Sequence, residues 1–287
     1  KKYTLLYGLC LSSVAKASTY PLFNENAYLF LSLLSDFIYS NARSNKFVRE
    51  FLYFAHWTRK SNLNRLAHQY SSEQLKVGRG LSLHIGPSNV PVNSLFTLAF
   101  SLLSGSPSIL RVPSKFITEF SDFFAEFIKW SGVSSDLLPI SIVSFPSDSD
   151  LSAILSNRSY SRVIWGNDRT CQYFKSLPTP LKCIDLFFHN RSSASVINAN
   201  LLRSLSLSQM DDLARKFSLD IFTFNQQACS SPKVFFVYSP ISFDGLIPLL
   251  SKFFEQISKH ALSISSLSDS SAVDKFKRLS DLACSAK

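Results

Sequence analysis

Apolar positions along the chain show two textures. Through Tyr28 to Tyr39 and Phe47 to Trp57 they recur at intervals of three and four, the spacing of an amphipathic helix. Asn24 stands where the first of these needs an N-cap, and the first ~75 residues read as helices. From Gly80 onward, short β-rich runs alternate with helical ones. Leu81 to Ile85, Ser108 to Val112, Ser141 to Ser144, Arg162 to Trp165, Cys183 to Phe187, Ser195 to Ile197 and Val234 to Tyr238 predict strands. Asn93 to Leu103, Lys115 to Trp130, Asp148 to Leu155, Arg169 to Ser176, Ser208 to Phe217 and Phe243 to His260 predict helices. Such alternation implies parallel strands joined by right-handed crossovers, an α/β sheet covered on both faces. Ligands of these sheets sit beyond the C-terminal strand ends. The loops after Ile85, Val112 and Trp165 are therefore where chemistry is expected.

Composition narrows the classes. With 46% hydrophobic and 17% charged residues in 287, the chain can bury a large core and is not a disordered polymer; its length suggests two lobes. The longest apolar stretches, Tyr28 to Ile38 and Ser94 to Leu103, fall short of the ~20 residues of a membrane span. The N-terminal segment KKYTLLYGLCLSSVAKAS faintly resembles a signal peptide but is broken by Tyr and Ser, and the missing initial Met suggests a fragment. Five cysteines, widely spaced and without a C-x-x-C pair, argue against a disulfide framework and a structural zinc site. The expectation is a cytoplasmic protein without a metal. The net charge of +10 is scattered, with no run of five or six Lys and Arg. It points to anionic small molecules such as nucleotide or coenzyme phosphates and not to nucleic acid. No basic amphipathic helix of the membrane-surface type is visible. The Ser-rich stretch Ser263 to Ser271 reads as a linker.

Two loops carry candidate chemistry. In HIGPSNVPVNS (His84 to Ser94), Pro87 and Pro91 restrict the path around Asn89. A carboxamide held in this way can donate N–H to a developing oxyanion; the alternative is that Asn89 caps the next helix or bonds its own loop. In TFNQQACSSPKVFFV (Thr223 to Val237), the small neighbours Ala228, Ser230 and Ser231 leave Cys229 accessible. An exposed thiolate is a nucleophile, whereas a buried cysteine is a small hydrophobe. Cys10, Cys171, Cys183 and Cys284 lie in ordinary apolar or helical patterns and take the second reading.

Together the loops resemble the aldehyde dehydrogenase superfamily. PSNVP at Pro87 to Pro91 is similar to its P-W-N-F-P motif, and FNQQAC at Phe224 to Cys229 to its nucleophile loop ending in G-Q-x-C. HWTRKSNLNRL (His56 to Leu66), GRGLSLHIGPSNVP (Gly78 to Pro91), ILRVPSKF (Ile109 to Phe116), RVIWGND (Arg162 to Asp168) and FNQQACSSP (Phe224 to Pro232) narrow the resemblance to the LuxC-type fatty acyl-CoA reductases. It implies an aldehyde-dehydrogenase-like α/β fold: an N-terminal helical region (1–75), a Rossmann-type nucleotide-binding lobe (76–197) and a partial catalytic lobe (198–287). Members are longer, so the rest of the catalytic lobe is missing, including the superfamily's nicotinamide-ribose glutamate.

The resemblance also assigns roles. Cys229 is the nucleophile, and Asn89 with the Cys229 backbone N–H forms the oxyanion hole. Ser88, Arg111, Pro113, Ser114 and Gly166 line the cofactor. Arg111 stands where the superfamily has a ribose-contacting Lys and Ser114 where NAD-preferring members often have Glu, so a 2′-phosphate is accepted and NADPH is the expected cofactor. If Arg191 matches the Lys of the E-L-G-G-K stretch, the water-activating Glu is replaced by Phe187, with Asp185 the nearest acid. Without that base an acyl-enzyme persists to meet hydride, which favours reduction of a long-chain acyl-CoA to an aldehyde. An acyl-protein synthetase partner and a homo-oligomer are implied too. The alternatives are an aldehyde dehydrogenase, a short-acyl reductase, or a catalytically silent interaction subunit. Of the 26 Phe residues, most are expected in the core, with some available to line an acyl tunnel.

Overall fold

The computed structural model describes residues 3–147, 149–189, 191–226, 228–239 and 243–264, with a few isolated positions beyond. The chain divides into two compact units, Lys1–Asn190 and Arg191–Lys287. In the first, β1 (Thr4–Gly8) and α1 (Leu11–Val14) precede four helices: α2 (Glu25–Asn41), α3 (Lys46–Arg49), α4 (Leu52–Thr58) and α5 (Lys60–Gln69). Then β2 (Ser82–Ile85), α6 (Val92–Leu103), β3 (Ser108–Arg111), α7 (Ile117–Ser131), β4 (Ile140–Ser144), α8 (Leu151–Ser156), β5 (Ser161–Trp165), α9 (Asp168–Ser176) and β6 (Ile184–Phe188) alternate. The second unit runs β7 (Ser193–Asn198), α10 (Ala199–Ser204), α11 (Leu207–Phe222), β8 (Pro232–Tyr238) and α12 (Phe243–Ile264).

Six strands form one sheet in the order β1-β4-β3-β2-β5-β6. All neighbours pair in parallel except β1, which is antiparallel to β4. The α/β class and the parallel sheet are as the alternation predicts. The seven expected strands all form, within two or three residues of their expected ends. Asn24 caps α2, its side chain accepting from the Asn26 N–H, and Gly132 closes α7 in the left-handed conformation at φ 67°.

Three expectations are corrected. The first ~75 residues are not all helical: Thr4–Gly8 is a strand, held on β4, with Tyr7 buried and stacked on Phe124 at 4.6 Å. Its run TLLYG lacks the apolar alternation that marks a half-buried strand. The expected helix Phe47 to Trp57 is interrupted between α3 and α4. The boundaries at 75/76 and 197/198 do not coincide with the division at 190/191: the N-terminal helices belong to the sheet's unit, and β7 pairs with β8 instead of the six-stranded sheet. The expected linker falls outside the described residues, except Ser263 and Ile264, which end α12. So does Asp148, the expected start of α8.

One face of the sheet packs Leu83, Ile85, Ile109, Val143 and Ile164 against Leu11, Val14, Leu151, Leu155, Cys171 and Phe174 of α1, α8 and α9. Elsewhere in this unit phenylalanine does most of the filling. Phe30, Phe37, Phe51, Phe120, Phe123, Phe124 and Phe127 are fully buried, with edge-to-face pairs such as Phe51–Phe123 at 5.1 Å and Phe37–Phe123 at 5.4 Å.

By strand alternation Ser82 and His84 of β2 point to the face opposite Leu83 and Ile85. His84 is 1% exposed, and neither ring nitrogen has a hydrogen-bond partner among the described residues. Burial without a partner disfavours the imidazolium and pushes the pKa down to about 3. Between the unfolded value near 6.5 and that folded value, only the unfolded chain takes up the proton. Stability conferred by this site is therefore complete above pH ~6.5 and is lost as pH falls toward ~3, by about 1.4 kcal/mol per unit. Urea titrations of His84→Leu across pH 7 to pH 4 are expected to show a pH slope shallower by roughly one proton. An unchanged slope would show that His84 is protonated in the folded protein.

Candidate functional site

In the first unit the strand order runs β2, β3, β4 toward one edge and β5, β6 toward the other, so it reverses at β2. A crevice opens beyond the C-terminal ends of strands at such a reversal. Register aligns those ends in one row, Val143–Arg111–Ile85–Ile164–Phe187. The three loops singled out from the sequence leave from this row.

After β2, the Gly86 N–H donates to the Arg111 carbonyl at 2.9 Å. A Cβ at Gly86 would lie 2.4 Å from the Ser94 hydroxyl, so only glycine lets this turn pack on α6. Pro87, Val90 and Pro91 are buried, while Ser88 and Asn89 between them are exposed. Buried apolar anchors thus present two polar side chains outward from a fixed loop. The N-cap position of α6 is Pro91, whose side chain makes no cap bond.

After β3, the Arg111 guanidinium donates through Nε and Nη2 to the Phe145 carbonyl at 3.3 and 3.1 Å and lies over the Phe145 ring at 5.8 Å. Burial lowers its pKa from the usual arginine value. Two of its donors are thus committed to the neighbouring strand end. Pro113 is buried, and Ser114 is exposed at the start of a 3-10 turn, Ser114–Phe116, leading into α7. After β5, the Gly166 N–H donates to the Phe188 carbonyl at 3.2 Å, and a Cβ there would lie 2.7 Å from Thr170. The Asn167 side chain accepts from the Thr170 N–H at 2.9 Å, capping α9. A glycine turn, exposed hydroxyls, an exposed carboxamide and a cation beyond the reversal form a donor set that fits a dinucleotide.

Asp185, the acid nearest the missing glutamate position, is held elsewhere. Register sets it opposite Arg162, and the guanidinium donates to both carboxylate oxygens at 2.7 and 2.6 Å. Arg162 is 1% exposed, so the carboxylate neutralises a buried charge. Phe187 packs under the Lys175 ammonium, 5.1 Å from its ring. A pair the sequence reading missed joins the ends of two strands: His189, just after β6, meets Asp168 at 3.2 Å. The two lie 21 residues apart, and only their shared position after a strand end could have signalled the contact.

In the second unit, parallel strands β7 and β8 carry α10, α11 and α12, with a core of Leu202, Met210, Ala214, Phe253 and Ile257. A capping box between Ser206 and Gln209 starts α11. Between α11 and β8 the backbone takes positive φ at Phe224 (57°) and Gln226 (62°), uncommon for non-glycine residues and enriched where a loop is tightly specified for function. Cys229 follows in a turn closed by the Ser231 N–H on the Ala228 carbonyl at 3.1 Å. Its own carbonyl accepts from the Ser193 hydroxyl at 2.6 Å. Cys229 is exposed, so it is not the buried hydrophobe of the alternative reading. Of the other cysteines, Cys171 is buried as expected. Cys10 and Cys284 depart from the expectation in being exposed, and Cys183 is half-buried; at Cys10, hydrogen bonds from Ser12 and Ser13 lower the pKa to about 7.

Comparisons with known proteins agree with this architecture. A family model described as acyl-CoA reductase (LuxC) matches residues 45–276. Among solved structures, an oxidoreductase from Marinobacter aquaeolei matches with TM-score 0.62 at 13% identity, covering 86% of this chain and 54% of that one. An NAD-dependent benzaldehyde dehydrogenase from Corynebacterium glutamicum matches with TM-score 0.59 at 14% identity, covering 86% and 56%. The NAD+ complex of an aldehyde dehydrogenase from Bacillus cereus matches with TM-score 0.52 at 15% identity, covering 80% and 49%. The likeness is one of fold, and the chain spans about half the length of these structures. A search of curated proteins finds no match.

The Arg162–Asp185 geometry makes Asp185 a structural partner. Asp185→Asn is expected to lower unfolding free energy by about 3 kcal/mol, because a buried guanidinium loses its counter-charge, while Arg162→Met with Asp185→Leu recovers most of the loss. Denaturant titration of the single and double variants checks this; full stability of Asp185→Asn would refute it.

Proposed function

The chain belongs to the LuxC family of acyl-CoA reductases, whose family model spans residues 45–276, and we propose that it reduces a long-chain acyl thioester to an aldehyde through an acyl-cysteine. The observation that carries this reading is the exposed Cys229 in a turn fixed by Ser193. In the proposed mechanism the Cys229 thiolate attacks the acyl-CoA carbonyl, forming the new C–S bond. The Asn89 carboxamide and the Cys229 backbone N–H are the donors that the family resemblance assigns to the tetrahedral oxyanion. Its collapse expels coenzyme A as the thiolate and leaves the acyl group on Cys229. A bound NADPH supplies the hydride that reduces this thioester. Cys229 then leaves as thiolate and the aldehyde is released.

Ser88, Ser114 and the turn at Gly166 hold the dinucleotide in this reading, and the N–H donors of Arg111 that Phe145 does not take serve the 2′-phosphate. If Arg191 matches the family's Lys, Phe187 stands where the resemblance puts the water-activating Glu, and with Asp185 engaged by Arg162 this supports reduction over hydrolysis. An acyl-protein synthetase that loads the thiol and a homo-oligomeric assembly belong to the same proposal, as does a cytoplasmic setting.

Incubation with radiolabelled long-chain acyl-CoA is expected to give a hydroxylamine-labile label that NADPH chases into aldehyde. The label disappears in Cys229→Ala and persists in Cys10→Ala, which controls for an exposed thiol whose own pKa is lowered to about 7. Absence of label in the intact protein would favour a non-catalytic interaction subunit. Label chased into free acid, or aldehyde oxidised with NAD, would favour an aldehyde dehydrogenase.

For the cofactor, Arg111→Ala is expected to weaken NADPH binding about tenfold more than NADH binding, the worth of one charge-assisted hydrogen bond. Nucleotide fluorescence titration measures both, and equal weakening would confine Arg111 to holding Phe145.

A further inference from the structure

α6 is a charge-free helix that turns two aromatic rings outward. Phe100 is exposed, Phe96 and Asn93 are half-buried, and every other residue of the helix is buried. α4 lies alongside and adds Tyr53 and Trp57, one turn apart. The four rings form a continuous surface ladder, with centroids 5.6 Å apart for Tyr53–Phe96, 5.7 Å for Phe96–Trp57 and 4.9 Å for Trp57–Phe100. Its ends are open, Tyr53 being 72% and Phe100 57% exposed. A contiguous exposed aromatic patch marks a binding surface.

The charge around the ladder is one-sided. Between residues 51 and 70 the sequence has three cations, Arg59, Lys60 and Arg65, and no acid. Lys60 and Arg65, on the adjoining α5, are exposed. On the other flank of α4, an open cavity of ≈ 440 Å³ is lined by Tyr39, Ala42, Arg43, Arg49 and Leu52. Arg49 donates to the carbonyls of Ala42 and Arg43 at 3.2 and 3.4 Å, which fixes its guanidinium at the cavity wall. Tyr39 shares a hydrogen bond with His56 of α4 at 3.4 Å. Glu50, the acid nearest in sequence, is already engaged.

We propose that the α4–α6 face docks peripherally on an anionic phospholipid bilayer, with the Tyr53–Phe96–Trp57–Phe100 ladder at the level of the glycerol backbone. The arginine-lined cavity then faces a headgroup phosphate. Aromatic side chains favour that depth, and cations beside them are drawn to the negative lipid surface. No single basic amphipathic helix is involved: α6 supplies aromatics without charge and α5 charge without aromatics at the ladder, so the signal exists only where they pack together. A bilayer offers an apolar layer and a negative layer together, which suits an aromatic ladder beside exposed cations better than an acidic protein surface does. None of these residues belongs to the proposed catalytic or cofactor loops, so the proposal stands or falls independently of the reductase reading.

The test is sedimentation of the protein with vesicles of phosphatidylcholine alone and of phosphatidylcholine mixed with phosphatidylserine, at low and high salt. Binding is expected only to the mixed vesicles and is released by salt. Tyr53→Ser with Phe100→Ser, and separately Lys60→Glu with Arg65→Glu, are each expected to weaken partitioning about tenfold. All four positions are exposed, and circular dichroism and thermal melting confirm the fold. No sedimentation, or sedimentation insensitive to both variant pairs, overturns the proposal. So does loss of self-association in the same variants by sedimentation velocity, which assigns the face to a second copy. Retention on an acidic protein without vesicle binding overturns it as well.

Discussion

The first unit depends on the reversal of strand order at β2. A parallel sheet forces every connection to cross from the bottom of one strand to the bottom of the next over a covering helix. When the chain has laid down β3 and β4 on one side and returns to build β5 and β6 on the other, the helices on the two sides diverge. The C-terminal ends of β2 and β5 are left without a shared cover. Ile85 and Ile164 sit side by side at that point, and the loops that leave them inherit an opening that the connectivity creates. The buried, partnerless His84 one residue before this end shows how dry the sheet is beneath it.

The two candidate loops solve one problem in different ways. The Asn89 loop is rigid through burial, with prolines and Val90 packed inward so that its polar tips must face out. The Cys229 turn is rigid through hydrogen bonding and backbone strain, with Ser193 on its carbonyl and two residues at positive φ before it. Both devices spend local conformational freedom during folding, so that little remains to be lost when a ligand arrives.

Period and punctuation made the parallel core legible in the sequence, because buried strands of Val, Ile and Leu bounded by Gly and Pro are distinctive and α7 and α9 are strongly amphipathic. Loop positions followed from strand ends, and the small residues around Cys229 correctly indicated an accessible thiol. Other features depended on pairing between distant residues. β1 became a strand only because β4 offers it an antiparallel edge. Arg162 is legible in the sequence only as the start of a strand; its ion pair depends on lying opposite Asp185 across two strands. The role of Arg111 was half visible: its place at a strand end was evident, but its commitment to the Phe145 carbonyl was not. The unit boundary was missed because β7 resembles one more strand of the sheet, and only its partner distinguishes it.

The β7–β8 ribbon covers one of its faces with α10, α11 and α12 and leaves Val196, Val234, Phe236 and Tyr238 open on the other. Parallel strands rarely tolerate a wet side. A bare apolar row of this kind is a contact surface that asks for another layer upon it.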